Sequence, residues 1–358
     1  EAPADSPAAM PAATPAATPA DARLERLTAW LDGLASRHAL RTGTLRPASN
    51  DASFRRYFRL DTDDSREPTL IAMDAPPPME DCAPFVHAAQ VMREAGLSVP
   101  RVLESDLGEG FLLLSDLGTR LYSDALDDAR ADALYRDASD ALVRLQLASR
   151  DGVFPPYDRA VLLRELNLYP EWYVARHKGV ELTDAERATL ARAFDTLIAN
   201  NLAQPRVTVH RDWHSRNLMV LEGDANPGVL DFQDALHGPI TYDLVSMLRD
   251  AYVEWPEERA LDWALRHWER ARGAGLPVAA DFGDFYRDFE WMGLQRHLKV
   301  LGIFARLWHR DGKDRYLADM PRVLGHVIRV ANRYGALAPL ARLVDRVEGR
   351  AVKAGYTF

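Results

Sequence analysis

Cysteine is almost absent from this chain of 358 residues: Cys82 stands alone, so no intrachain disulfide can form and a Cys-rich metal site is excluded. That usage suits a reducing cytoplasm, and Cys82 itself reads as a small apolar filler near a helix start. Long apolar runs are missing too; none approaches the roughly eighteen residues of a membrane-spanning helix. No lysine precedes Lys178, so any fixed positive charge before it must come from arginine. Residues 1–20 repeat Ala, Pro and Thr with neither a basic start nor an apolar stretch, which reads as a disordered tail rather than a signal peptide. A formal charge of −9 argues against a nucleic-acid partner and leaves a small molecule as the expected one. The hydrophobic share of 47% and the length together can support two lobes, each with its own core.

The most informative stretch is His210-Arg211-Asp212-Trp213-His214-Ser215-Arg216-Asn217, followed by Val229-Leu230-Asp231-Phe232-Gln233-Asp234. Phosphoryl transfer from a Mg-nucleotide to a hydroxyl needs a carboxylate to accept the proton and hard oxygen ligands to hold Mg²⁺ against the phosphates. Asp212 fits the base; Asn217 and Asp231 fit the metal. Val207 to Val209 reads as a short strand entering the loop, and Leu218 to Leu221 with Gly228 to Leu230 as a hairpin leaving it across the polar turn Glu222 to Pro227. Folded back, that hairpin brings Asn217 and Asp231 to one end of two paired strands, where one cation can bridge them.

With these residues in place the chain resembles the aminoglycoside phosphotransferase and choline kinase-like superfamily. The pattern His-x-Asp-x-His-x-x-Asn, then Asp, then Gly-Pro-x-x-x-Asp is met by His210, Asp212, His214, Asn217, Asp231, Gly238, Pro239 and Asp243. Within it, Asp51 to Arg59, Ala75-Pro76-Pro77, Leu168 to Tyr173 and Leu230 to Ala235 are similar to bacterial cell-wall sugar kinases that phosphorylate N-acetylmuramate and N-acetylglucosamine at the anomeric hydroxyl. The resemblance runs from about Leu24 to Tyr334. It implies ATP and Mg²⁺ as cofactors and an amino-sugar acceptor. It also implies a sugar 1-phosphate product passed to a nucleotidyltransferase in peptidoglycan recycling.

The elements agree with an α+β, two-lobed, protein-kinase-like fold. A helix is predicted over Asp21 to Ala39, strands near Leu45, over Phe54 to Leu60 and Thr69 to Met73, a helix over Asp81 to Ala95, and strands near Val102 and over Phe111 to Leu114. This gives an N-lobe with the nucleotide-binding sheet at 21–118 and a helical C-lobe with the catalytic loop and acceptor site at 119–358. Helices are predicted there over Ser123 to Ala148, Asp158 to Arg176, Thr183 to Asn200, Tyr242 to Val253, Glu257 to Arg272, Asp281 to Trp308 and Pro321 to Arg333. By resemblance Ser115 and Leu117 offer backbone groups to the adenine edge.

Kinases of this general kind carry a lysine on the third N-lobe strand against the phosphates, and Leu70 to Asp74 offers only Met73 or Asp74 inward. Arg55, Arg56 and Arg59 are therefore the candidate cations; period-two alternation puts Arg55 and Arg59 on one face and Arg56 on the other. The loop Ser49 to Ser53 lacks glycine, yet Ser53 and its neighbours can present N–H groups and a hydroxyl to phosphate.

Only about ten residues separate Asp231 from Tyr242, too few for a segment that docks a protein acceptor, which favours a small one. Glu165, Tyr169, Trp172 and Tyr173 form the candidate sugar patch, with Asn167, Glu171 and Arg176 beside them, while Asp234 is a candidate for the sugar, a second metal or a loop cap. A lactyl carboxylate on the acceptor calls for a cation, with Arg176, His177, Arg296 and Lys299 as sources. His210 and His214 read as loop braces, since Mg²⁺ prefers oxygen, and Asp243, by resemblance, braces the catalytic loop. The rival readings are a kinase for an aminoglycoside or choline-like alcohol, and a nucleotide-binding scaffold without transfer.

Overall fold

In the computed structural model, which describes residues 19–50 and 54–350, the chain divides into two compact units. The smaller comprises residues up to Cys82 together with Val102–Asp116; the larger comprises Ala83–Arg101 and the remainder.

The smaller unit contains helix α1 (Pro19–His38) and strands β1 (Leu40–Asn50), β2 (Arg56–Thr62), β3 (Thr69–Asp74), β4 (Val102–Asp106) and β5 (Phe111–Ser115). They form one antiparallel sheet in the order β1-β2-β3-β5-β4. Strict alternation along β2 turns Phe58, Leu60 and Thr62 inward. The apolar stripe of α1, built on Leu27 and Leu31, covers that face together with Leu70, Ala72, Phe111 and Leu113. Each fully buried leucine contributes roughly 1.5–3 kcal/mol. The helix stops at Ala39, whose φ of 52° breaks the repeat. Its last-turn residues Arg37 and His38 both hold Glu104 Oε1 at 2.8 Å. Gly110 makes the turn from β4 into β5 at φ 76°, and a Cβ there would stand 2.0 Å from the Ala75 carbonyl.

The larger unit contains α2 (Ala83–Glu94), α3 (Tyr122–Ala125), α4 (Ala131–Leu147), α5 (Arg159–Leu168), a π-helical stretch (Tyr169–His177), α6 (Asp184–Ala203), β6 (Arg206–Val209), β7 (Leu218–Met219), β8 (Gly228–Val229), β9 (Leu236–Pro239), α7 (Tyr242–Leu248), α8 (Glu257–Gly273), α9 (Phe282–His309), α10 (Met320–Arg333) and α11 (Ala338–Val347). The central α9 is buried on nearly every side from Met292 to Leu301 and packs against α5, α6, α7, α10 and the π-helical stretch. Helix α2, which reads from sequence as riding on the small sheet, instead sets Phe85 on Phe232 at 4.8 Å and groups with the larger unit.

Three predicted helices differ from those observed. The Ser123 to Ala148 stretch breaks at 126–130, where Asp127 accepts from the Ala129 and Arg130 backbones and from the Arg130 side chain. The Asp158 to Arg176 stretch changes register at Pro170, which has no N–H to donate to the turn before it. The chain widens there to i→i−5 bonding, as in Lys178 N to Tyr173 O at 2.9 Å. Gly302 of α9 packs against this junction so closely that a Cβ would lie 2.4 Å from the Leu168 backbone. The Tyr242 to Val253 helix ends at Leu248, and the chain turns so that the Asp250 carboxylate accepts from Tyr252 N at 2.8 Å and Ser215 N at 2.9 Å.

Candidate active site

Two short antiparallel pairs position the candidate chemistry of the larger unit: β6 with β9, and β7 with β8. Strand β6 delivers His210 and Asp212; the β7–β8 hairpin separates Asn217 from Asp231. Leu218 pairs with Val229, Met219 with Gly228, and Leu230 N donates to Asn217 O at 2.9 Å. Asn217 Nδ2 consequently reaches Asp231 Oδ2 at 3.2 Å and Asp212 O at 3.1 Å. With its amide nitrogen so engaged, Asn217 has Oδ1 available for a cation. Gln233 Nε2 holds the other Asp231 oxygen at 2.7 Å.

The loop is held in an uncommon backbone shape. Arg211 has φ 81° and Asp231 φ 61°, a region non-glycine residues rarely occupy and which costs about 1–3 kcal/mol each. Asp243 compensates at Arg211 by accepting from the His210 and Arg211 backbone N–H groups at 2.7 and 2.9 Å. Burial pushes the Asp243 carboxyl up to about 7, against the pull of those two donors. His210 Nε2 donates to Leu230 O at 2.9 Å and its Nδ1 accepts from Asp212 N at 3.2 Å, so the ring is a neutral tie between the two halves of the site. Burial lowers its pKa to about 4. Trp213, fully buried, meets the His210 ring edge-on at 5.5 Å and anchors the loop from below.

Asp212 keeps 37% of its side chain exposed. Partial burial would raise its carboxyl, yet the charges of Arg296, Lys299, His214 and Arg211 outweigh burial and hold it well below the ordinary carboxylate range. Arg296 Nη2 lies 3.5 Å from Asp212 Oδ1, and His214 Nε2 lies 3.9 Å from the same oxygen.

Behind the loop is a buried polar network that periodicity did not reveal. Glu165, placed by sequence in the sugar patch, is buried and accepts from Arg211, from Tyr157 Oη and from Lys299 Nζ, the last at 3.1 Å. Lys299 and Arg296 both donate to Tyr242 Oη, at 3.1 and 3.2 Å, and Arg296 Nη1 also donates to Arg211 O at 2.8 Å. Glu165, Arg296 and Lys299 thus hold one another and the loop. Their only sequence signal is charge on buried helix faces, which declares itself once the faces are known.

The remaining sugar-patch residues lie on the π-helical stretch. Tyr169 and Tyr173 are buried and stacked at 5.4 Å, Tyr173 donates to Glu348 Oε1 at 3.0 Å, and Trp172 faces the Arg176 guanidinium at 6.0 Å. Among the described contacts none joins them to Asp212. Asp234 is exposed, with its carbonyl 3.4 Å from Arg211 Nη1.

In the smaller unit each candidate arginine has a carboxylate. Arg55 pairs with Glu80 at 3.1 Å; Arg56 Nε and Arg23 Nε both reach Asp74 at 3.0 Å; Arg59 grips Asp116 through Nε and Nη2 at 2.5 and 3.0 Å. Met73 and Asp74 are both buried, and Asp74 faces Arg56 across β2 and β3. Arg23 and Asp116 were not anticipated as partners. Ser115 is the last residue of β5 and Leu117 follows the boundary of the unit. Ser53 lies outside the described residues.

Residues 44–282 match the model of the phosphotransferase enzyme family. The chain belongs to that family. It is 50% identical over 331 residues to an N-acetylmuramate/N-acetylglucosamine kinase of Pseudomonas aeruginosa, covering 90% of this chain and 96% of that protein. It is 51% identical to a protein of the same name from Neisseria meningitidis, over 87% of this chain and 93% of that one. Among solved structures, a choline/ethanolamine kinase family protein from Mesorhizobium loti superposes with a TM-score of 0.59 at 16% identity, covering 90% of this chain and 99% of that one. An ADP-bound aminoglycoside phosphotransferase gives 0.54 at 16% identity, covering 88% and 98%. The fold of this phosphotransferase is therefore the protein-kinase-like one, with a small antiparallel sheet unit and a larger, mainly helical unit. Among the described residues no helix is long and apolar enough to cross a membrane.

Proposed function

We infer that this phosphotransferase uses ATP and Mg²⁺ to phosphorylate the anomeric hydroxyl of N-acetylmuramate and N-acetylglucosamine. The observation that carries the reading is the juxtaposition of Asp212, Asn217 and Asp231 on one loop and hairpin, in a chain half identical to kinases named for those two sugars.

Asp212 is ionised and partly open, so it can accept a hydrogen bond from an incoming hydroxyl. An anomeric hydroxyl is more acidic than an ordinary alcohol, so a weak base suffices: Asp212 orients it and takes its proton as the bond to phosphorus develops. Asn217 Oδ1 and Asp231 are hard oxygen donors of the kind Mg²⁺ accepts, and an ion held by one carboxylate, one amide and phosphate oxygens is how this metal is commonly bound. When bound, it would neutralise charge on the phosphates. Arg296 holds Asp212 in place and keeps it charged, and Asp243 with His210 fixes the backbone that carries it.

In the smaller unit Arg56 is the best-suited phosphate cation. Its side chain is 34% exposed, against 11% for Arg55 and 17% for Arg59, and it shares Asp74 with Arg23. Ser53 and the Ser115 and Leu117 backbones are assigned to the nucleotide; of the tail expected over residues 1–20, residues 1–18 lie outside the described residues and Pro19 and Ala20 belong to α1. The trio Tyr169, Trp172 and Tyr173 shapes the acceptor lobe, with Trp172 its half-buried ring. The sugar 1-phosphate made here suits a nucleotidyltransferase that activates it for cell-wall recycling in the cytoplasm.

An acceptor panel tests this. ADP release from Mg-ATP is measured with N-acetylmuramate, N-acetylglucosamine, kanamycin and choline. Turnover with both amino sugars is expected; turnover with kanamycin or choline alone would keep the family and overturn the acceptor, and nucleotide binding without any transfer would favour a scaffold.

A further inference from the structure

Two of the four sources of positive charge expected to meet an acceptor carboxylate, Arg296 and Lys299, are already occupied inside the protein. Lys299 is buried against Glu165 and Tyr242, and Arg296 is buried against Arg211 O, Tyr242 and Asp212. A different cation stands in the open on the catalytic loop. Arg216 precedes the candidate metal ligand Asn217, and its side chain is 43% exposed. Its guanidinium carbon lies 3.7 Å from the centre of the Tyr252 ring, closer than any other cation–ring contact among the described residues.

The donors of Arg216 are unused. Among the described residues it makes no hydrogen bond, and its one ion pair, to Asp319 Oδ2, is 3.8 Å long. Asp319 has a nearer partner in Arg322 Nη1 at 2.9 Å; Arg322 in turn has Glu254, exposed, at 3.8 Å. A planar fork of N–H donors held flat on an aromatic ring is prepared for a bidentate carboxylate.

Its position relative to Asp212 also fits. Tyr252 meets the His214 ring edge-on at 5.2 Å, and His214 Nε2 is 3.9 Å from Asp212 Oδ1. The Phe304 ring also packs on Tyr252, at 6.1 Å. The contacts thus run from base to histidine to tyrosine to guanidinium. An N-acetylmuramate offers the same order of groups: its reacting hydroxyl on C1, the pyranose, and a lactyl carboxylate on the C3 oxygen.

We propose that Arg216, preorganised on Tyr252, receives the lactyl carboxylate of N-acetylmuramate and sets the preference of the enzyme between that sugar and N-acetylglucosamine, which lacks the group. This rests on the amino-sugar reading above. Arg216 is a binding residue for the acceptor, one ring removed from the reacting atoms.

Steady-state kinetics of full-length Arg216→Gln and Arg216→Lys with both sugars test it. The expected result is a KM for N-acetylmuramate raised about tenfold or more in Arg216→Gln, with the ratio of kcat/KM between the two sugars falling by the same factor, and part of it restored by lysine. The wild-type protein with the methyl ester of N-acetylmuramate provides a check that needs no variant, and it should show the same rise in KM. An unchanged ratio in the variant, together with an ester as good as the acid, overturns the proposal and leaves Arg216 a packing residue on Tyr252. A wild-type protein that phosphorylates neither sugar overturns the acceptor reading itself.

Discussion

Arg296 Nη2 lies 3.5 Å from Asp212 Oδ1 while Nη1 of the same guanidinium donates to Arg211 O at 2.8 Å. One buried side chain thus fixes both the charge of the candidate base and the backbone before it. Replacing Arg296 by Met is expected to raise the Asp212 pKa toward the ordinary value near 4, since an opposite charge within reach favours the ionised form. The acid limb of kcat/KM should move up accordingly, whereas the unmodified protein should show no limb from Asp212 above about pH 5. A variant that loses rate with no change in the limb would assign Arg296 to folding alone.

Asp212→Asn keeps the shape of the side chain and removes its capacity to take a proton. Turnover is expected to fall roughly 10²-fold or more while ATP affinity stays within a few-fold. Near-normal turnover would remove Asp212 from the role. Asp231→Asn should act on the other side of the site, raising the Mg²⁺ concentration for half-maximal rate, because a neutral amide is a weaker ligand than a carboxylate.

The local parts of this site were readable in the sequence. The hairpin between Asn217 and Asp231 announced itself through turn residues flanked by apolar ones, and two paired strands then dictate that its ends meet. The brace at Asp243 and the ties from His210 followed the family pattern. What could not be read was long-range pairing: Glu165 reaches Arg211 and Lys299 across 46 and 134 residues, and a buried charge looks the same in a sequence as a solvated one. Asp250, the acceptor for Ser215 N, was hidden because it lies where a helix was expected to continue. The π-helical stretch was hidden because a proline marks a break in the α register without saying what replaces it. Helix α11 carried no motif to draw attention to it.

Acid stability follows from the buried histidines. Burial lowers His210 to about 4, His267 and His297 to about 3, and His326 further still. Below the unfolded value near 6.5 the unfolded chain binds more protons, so stability should fall as pH drops from about 6.5 toward 4, by up to roughly 1.4 kcal/mol per pH unit for each histidine. Asp243, raised to about 7, works in the opposite sense between about 4 and 7, as do the raised Asp288 and Glu290, against these four rings and the likewise lowered His177 and His214. Urea midpoints measured from pH 7.5 to 5 should decline; a flat profile would mean these rings are not held neutral.

Gly302→Ala is expected to destabilise by at least about 1–3 kcal/mol, because the added methyl would stand 2.4 Å from the Leu168 backbone and the π-helical stretch would have to move. Thermal melting checks it, and an unchanged midpoint would show that α9 and Leu168 are less closely packed.

The most direct test of the central claim is ³¹P NMR of the protein incubated with Mg-ATP and N-acetylglucosamine or N-acetylmuramate. The expected product is a phosphomonoester whose phosphorus couples to the C1 proton of the sugar. A phosphomonoester coupled to the C6 protons, or ATP left intact beside both sugars, would contradict it.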